Sequence, residues 1–333
     1  MDELLLNDWH PVAASALLQP GQLHTAHLLG EEIVLWRGAD GKLRAWDDRC
    51  PHRGARLSLG ALRDDRVVCA YHGWQFDVEG QCRLMPAHPQ DTPPKNARTL
   101  AYRVQEAYGL VWACIGEPRY DLLPFDEYGD ERLRKVVCGP YPVQTSGPRI
   151  VENFLDMAHF GFVHTGILGS LDHTEVPEYD VNPYDDRLGE RGMQGVIATR
   201  CFAFQPVSNL LSKDGSMVEY TYRVARPLTA ILTKLPQNQE GFAEAISLHV
   251  QPLEEEKSQA WIVLAMTNSV STDDELRAFQ DRIFSQDLAI LESQRPKRVP
   301  LQPGAEVPQR ADKLSAAYRR MLRQLGLRYG VIA

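Results

Sequence analysis

The chain has no long apolar run at its start. Met1-Asp2-Glu3-Leu4-Leu5-Leu6 carries no basic leader and only three consecutive apolar residues before Asn7, so neither a signal peptide nor a membrane span is expected there, and the expected location is cytoplasmic. Positive charge is short as well. Lys and Arg number 36 against 44 Asp and Glu, a formal net charge of -8, which argues against nucleic acid as a partner but is compatible with docking the basic face of another protein. Cysteine is scarce, and Cys82, Cys114, Cys138 and Cys201 show no pairing pattern, so no disulfide framework or secreted class is indicated. Those four are expected to be buried as small hydrophobes. The chain also lacks a Gly-rich dinucleotide fingerprint after a strand, an internal repeat and any low-complexity segment. What it does have is 333 residues, 44% of them hydrophobic, enough for a core in each of two domains.

Two short stretches carry the first chemistry. Cys50-Pro51-His52 and Cys69-Ala70-Tyr71-His72 lie sixteen residues apart, each after an apolar run and each among Gly, Pro or Arg, as expected of hairpin tips between short strands. Each loop mixes one Cys with one His. A Cys2His2 zinc site uses the same ligand types, but zinc fingers usually pair like with like within a loop. Two thiolates on one iron and two neutral imidazoles on the other make a Rieske [2Fe-2S] cluster, and Cys50, His52, Cys69 and His72 are its expected ligands.

The organisation along the chain agrees with a cluster module at the front. From Trp9 to about Gly116 short apolar runs (His27 to Leu29, Ile33 to Trp36, Leu43 to Trp46, Val67 to Val68, Leu110 to Cys114) alternate with turn signals at 38 to 41 and 78 to 80. Residues 1–117 are therefore expected to form an all-β domain, with a loop through the Pro-rich passage from Pro86 to Pro94. Residues 118–333 read differently. An apolar helical segment at Val151 to Val163 precedes strand-like runs at Gly195 to Phe204, Met217 to Ala225, Ala230 to Lys234, Ala243 to Val250 and Ala260 to Met266, and a long helix is expected from about Asp273 to Gln294. The fold class is α+β: the all-β domain, then an antiparallel sheet closed by helices in helix-grip fashion.

The helical segment holds a second candidate centre. Asn153, Asp156 and His159 recur every three residues and share one face of a continuous helix. His164 stands five residues beyond His159, about 140° round an ideal helix, so both imidazoles reach one metal only if the helix bends or ends near Gly161. Polar groups in so apolar a segment are costly without partners. Two His and one carboxylate form the facial triad of non-haem iron enzymes. For the carboxylate the choice falls on Asp287, which interrupts the apolar stripe of Ile283, Phe284, Leu288, Ile290 and Leu291, over Asp281 and Glu292, which read as surface acids of an amphipathic helix. Taken alone, each histidine more often reads as a satisfied core residue.

Together these residues resemble the Rieske non-haem iron oxygenases, catalytic α subunits, and nearly the whole chain takes part. The resemblance runs from Trp9-His10-Pro11-Val12 through both cluster loops, N-x2-D-x2-H-x4-H at 153 to 164, and D-x3-L-E-x-Q at 287 to 294. Within the family the chain is most similar to the branch of vanillate and dicamba O-demethylases, caffeine N-demethylases and saxitoxin-pathway hydroxylases. Ala55 and Tyr71 stand where high-potential Rieske proteins carry an extra disulfide-bonded pair, so the resemblance implies the lower-potential cluster that feeds an oxygenase. It further implies Fe(2+) at His159, His164 and Asp287, with O2 and a small aromatic, heterocyclic or alkaloid substrate. Electrons would come from a separate NAD(P)H-dependent reductase, with or without a ferredoxin. A head-to-tail homotrimer is implied too, in which Asp156 bridges His159 to the neighbouring subunit's cluster ligand, with Asn153 in support and His249 touching substrate. The alternative is a Rieske electron-transfer or regulatory protein without mononuclear iron chemistry.

Overall fold

The computed structural model describes residues 2–185, 194–268 and 270–333. They divide into two compact units, Glu3–Arg119 and, apart from Asp2, Tyr120–Ala333. In the first unit, strands β1 (His10–Ala14), β2 (Leu23–Leu28), β3 (Glu31–Arg37), β4 (Leu43–Asp47), β9 (Ala101–Ala107) and β10 (Leu110–Cys114) form one antiparallel sheet, in the order β1-β10-β9-β4-β3-β2. Four short strands, β5 (Ala61–Arg63), β6 (Arg66–Val68), β7 (Gln75–Phe76) and β8 (Cys82–Leu84), make a second. The expected all-β character is what this unit shows, apart from one helical turn at Glu3–Leu6 and two 3-10 turns. Trp36 and Trp46 meet edge to face at 5.2 Å in a core that includes Val34, Leu57, Val67 and Phe76, and Cys50 and Cys69 belong to the same packed cluster. The cysteine loops therefore rest on a packed apolar core of the unit.

The second unit is built on a seven-stranded antiparallel sheet. Its strands are β11 (Arg134–Val143), β12 (Asp180–Asp185), β13 (Gln194–Gln205), β14 (Ser216–Arg226), β15 (Thr229–Pro236), β16 (Glu244–Glu254) and β17 (Lys257–Met266), in the order β11-β17-β16-β15-β14-β13-β12. β16 and β17 are buried almost throughout, as central strands covered on both faces must be. The five strands read from the sequence are all present. β11 and β12 were not foreseen, and the reason is physical: Pro140 and Pro142 interrupt the first and Pro183 the second, and proline is accepted only where a sheet ends. Both are edge strands.

Three helices matter to the site. One spans Gly147–Leu155, with proline in its first turn, where a missing N–H costs nothing. The longest, Asp273–Ser293, starts at a capping box in which the Thr272 hydroxyl accepts from the Glu275 amide at 3.2 Å and the Glu275 carboxylate accepts from the Thr272 amide at 2.7 Å. The third is Lys313–Leu325. Among the described residues no helix is long and apolar enough to cross a membrane.

One expectation needs correcting. Val151 to Val163 is not one helix: the first ends at Leu155, Asp156 is extended (φ -86°, ψ 129°), and a separate turn resumes at Phe160–Val163. The break lies before His159 and not at Gly161. Asp156 causes it locally, because its carboxylate accepts the Ala158 amide at 2.8 Å, a turn that competes with helix.

Candidate metal centres

The two cysteine loops of the first unit have the same backbone design. Cys50 N–H donates to Ala55 O at 2.8 Å and Gly54 N–H to Cys50 O at 2.9 Å; Cys69 N–H donates to Trp74 O at 2.9 Å and Gly73 N–H to Cys69 O at 3.0 Å. Gly54 and Gly73 turn each chain at φ 73° and 68°, a conformation L side chains rarely adopt. The repeated turn brings like ligands together. The Cys50 and Cys69 side chains are buried neighbours, while the His52 and His72 rings lie 4.5 Å apart, His72 exposed. Burial, together with the neighbouring Cys69, pushes the Cys50 thiol up to about 11, so thiolates here call for cations.

Three observations fit an iron-sulfur cluster. His52 Nδ1 is buried without a hydrogen-bond partner among the described residues, as a nitrogen reserved for a metal would be, and its ring is held flat on Trp74 at 4.5 Å. The four ligand atoms do not converge on one point, since among the described residues the one group of three or more such atoms within 4.8 Å of one another lies elsewhere. Ligands of a single tetrahedral zinc stand roughly 3.4 to 3.8 Å apart, so a thiol pair and an imidazole pair held separately suit two irons. Finally, all six cysteines are free and buried, and Ala55 and Tyr71 leave no second pair near the loops.

The converging group is in the second unit: His159, His164 and Asp287. His159 Nε2 is 3.1 Å from His164 Nε2 and 3.5 Å from Asp287 Oδ1, and His164 Nε2 is 3.3 Å from the same oxygen. Ligand atoms at right angles on one metal with bonds of about 2.1 Å stand roughly 3.0 Å apart, so these spacings leave room for one ion. Each ligand is held from behind. His159 Nδ1 faces Asp156 Oδ2 at 3.1 Å, His164 Nδ1 faces Gln286 Oε1 at 2.9 Å, and Asn153 Nδ2 donates to Asp287 Oδ1 at 3.3 Å. Burial works against a positive charge on His164, yet Asp287 and then Gln286 outweigh it and raise its pKa, so the site attracts a cation. Burial likewise opposes the charge of Asp156, but His159 and the Ala158 and His159 amides hold its carboxyl below the usual range.

Gln286 was missed in the sequence because a neutral residue beside an acid gives no signal, and its partner lies 122 positions away. Asp281 and Glu292 are not at the metal group. Asp281 accepts the Tyr141 hydroxyl at 2.6 Å and Glu292 the Gln144 amide at 2.9 Å, tying the long helix to β11 and the residue after it. Strand parity does not bring His249 to the cavity beside the metal group. Ile246 and Leu248 line the cavity beside the metal group, so His249 points to the other face of β16, where Ser247 Oγ lies 2.8 Å from Nε2 and Thr229 Oγ1 3.3 Å from Nδ1.

That cavity lies between the sheet and the long helix, and His159, His164 and Asp287 are part of its wall. A [2Fe-2S] domain followed by a helix-grip domain with two His and one carboxylate at an apolar cavity defines a non-haem iron oxygenase fed by a Rieske cluster. Comparison with known proteins agrees. Residues 8–105 match the Rieske [2Fe-2S] domain and residues 143–328 the vanillate O-demethylase oxygenase C-terminal domain. The chain is 34% identical over 329 residues to the probable methylxanthine N7-demethylase NdmC of Pseudomonas sp. (strain TJI-51), covering 99% of this chain and 97% of that one. A solved structure of Pseudomonas putida CBB5 NdmA with caffeine superposes with a TM-score of 0.81 at 29% identity, over 97% of this chain and 91% of that one. A shorter match, 40% identical over 119 residues, is to the oxidoreductase NdmD of Pseudomonas putida, covering 35% of this chain and 20% of that protein.

The chain belongs to the Rieske non-haem iron oxygenases. It is an oxygenase component with a [2Fe-2S] cluster and Fe(2+), and it hydroxylates or oxidatively demethylates a small aromatic or heterocyclic substrate with O2 and electrons from a separate reductase.

Proposed function

We propose that this chain is the terminal oxygenase of an N-demethylase, converting an N-methyl group of a small heterocycle to N–H and formaldehyde. In balance, one N-methyl group, O2, two electrons and two protons give one N–H group, formaldehyde and water. The observation that carries the reading is the convergence of His159, His164 and Asp287 on the wall of an apolar cavity, in a chain whose relatives include a probable methylxanthine N-demethylase over nearly its full length. An electron carrier would have no use for that cavity.

In this reading Cys50, His52, Cys69 and His72 hold the cluster, and His159, His164 and Asp287 hold the iron. When bound, the cluster supplies single electrons and Fe(2+) supplies O2 activation beside the methyl group. The protein's own part is to fix the geometry. Gln286 and Asp156 each hold one imidazole by its remote nitrogen, and Asn153 holds the carboxylate, so three ligand atoms are preset before metal or substrate arrives. Asp156 keeps a partly exposed carboxylate. In a head-to-tail homotrimer that carboxylate would accept a further hydrogen bond, from His72 of a neighbouring subunit. The cytoplasm is the expected location, and a ferredoxin could stand between reductase and cluster.

The test is turnover with a surrogate NADH-dependent reductase on matched N-methyl, O-methyl and unmethylated heterocycles. Formaldehyde equal to the NADH consumed, from N-methyl compounds above all, is the expected result; ring-hydroxylated product without formaldehyde contradicts it.

A further inference from the structure

Strand register sorts the sheet wall of the cavity into rows. Tyr222 of β14 pairs Leu232 of β15, which pairs Ile246 of β16, which pairs Leu264 of β17, an aromatic and aliphatic row. The next row, set by the same register, is Tyr220, Lys234, Glu244 and Met266. An ammonium and a carboxylate thus sit side by side in an otherwise apolar wall, Lys234 4% and Glu244 8% exposed, with Nζ 3.4 Å from Oε2. Such burial is costly and persists only where the charges meet each other and further polar groups.

Their hydrogen-bonding capacity is incompletely used. Lys234 Nζ donates to Ser208 O and meets Glu244 Oε2 as an ion pair without a hydrogen bond, so two of its three N–H donors and the Glu244 carboxylate make no hydrogen bond among the described residues. By contrast Asn209 and Asn268, also on the wall, are committed: Asn209 to Gln239 and Leu211, Asn268 to Val270 and Ser271. A donor and an acceptor therefore stand next to each other on residues of the cavity wall. Lys234 is the one lysine or arginine on the described wall, and Glu244 already neutralises it. A substrate carboxylate would bring a second negative charge beside Glu244 with no further lysine or arginine on the described wall to meet it.

We propose that Lys234 and Glu244 select the substrate of this oxygenase, an uncharged heterocycle with adjacent C=O and N–H, as in a cyclic imide, lactam or ureide. The carbonyl accepts from Lys234 Nζ and the ring N–H donates to the Glu244 carboxylate. The pair thus deepens the demethylase reading, on which it rests, and turns the site away from aromatic carboxylates.

Binding without turnover tests it. The iron-loaded enzyme, kept anaerobic, is titrated calorimetrically with phthalimide, N-methylphthalimide and benzoate. Phthalimide should bind at least roughly tenfold more tightly than either of the others, the scale expected when a buried charged acceptor loses its donor. The double variant Lys234→Met/Glu244→Gln removes both charges together and so avoids leaving one buried alone. It should cost phthalimide roughly tenfold and N-methylphthalimide less than about threefold, with iron content unchanged. Equal binding of phthalimide and N-methylphthalimide, or tightest binding of benzoate, overturns the proposal with the wild-type protein alone. The two readings fail separately: a ring hydroxylase that releases no formaldehyde would still prefer phthalimide, and a demethylase indifferent to the N–H would keep its activity.

Discussion

The carboxylate of Asp156 lies 3.1 Å from Nδ1 of His159, the nitrogen turned away from Asp287 and His164, while Nε2 of the same ring faces both. One imidazole thus joins the metal group to a partly exposed acid. Asp156→Asn keeps an oxygen to accept from the ring, so iron should remain at about three per chain, two in the cluster and one at the triad. Turnover should nonetheless fall by roughly a hundredfold, because the charge that holds the ring and would reach a neighbouring subunit is gone. Iron analysis beside product formation checks this, and full activity would sink the bridging role.

Gln286 does for His164 what Asp156 does for His159. Gln286→Leu leaves a buried imidazole nitrogen without its acceptor, and affinity for the mononuclear iron should drop roughly tenfold to a hundredfold. Gln286→Glu retains an acceptor and should recover most of it. Metal titration of the two variants reads the difference, while the cluster's visible spectrum stays constant in both.

Asp287→Ala removes the one carboxylate of the triad. Iron content should fall from about three to about two per chain with the cluster spectrum intact. Retention of the third iron would place it elsewhere.

The Gly147–Leu155 helix, which carries Asn153, is fixed by a network of four charges. Arg149 Nη2 donates to Glu306 at 2.6 Å and Nη1 to Glu152 at 3.2 Å, and Arg319 Nη2 donates to the same two acids at 2.6 and 2.8 Å. Burial works against the Glu306 charge, but Arg149 and Arg319 hold its pKa below the ordinary 4.5. A depressed carboxylate pKa stabilises the fold above the unfolded value, and that stability is lost as pH falls through the folded one. Glu306→Gln should therefore lower the melting temperature at neutral pH, with the gap to wild type closing below about pH 4. A gap independent of pH would contradict the assignment.

How far the site could be read from the sequence depended on how local each piece of it is. The candidate cluster ligands were legible because each loop places a Cys and a His within four positions, and Asp287 because an acid in an apolar helical stripe is conspicuous. The second sheet was legible except where Pro140, Pro142 and Pro183 disguise its edges. Parity decided the rest. His249 and Leu248 are adjacent in the chain, yet only Leu248 lines the cavity, and no pattern in so apolar a strand tells which face is which. Lys234 and Glu244 read as ordinary charges near a hairpin end, and their pairing in register inside the fold is a tertiary fact. The break at Asp156 was hidden for a different reason: a regular three-residue spacing of polar groups imitates a helix face, while the aspartate's own hydrogen bond to Ala158 ends the helix.

A single turnover tests the central claim most directly. The fully loaded enzyme is reduced, freed of reductant, and mixed with O2 and an N-methylated heterocycle that keeps a free C=O and N–H edge. The account predicts that formaldehyde forms as the reduced cluster signal disappears, and that Asp287→Ala yields none although its cluster is reduced to the same extent. Formaldehyde from Asp287→Ala at the wild-type level, or cluster oxidation in the wild type with no product, would contradict it.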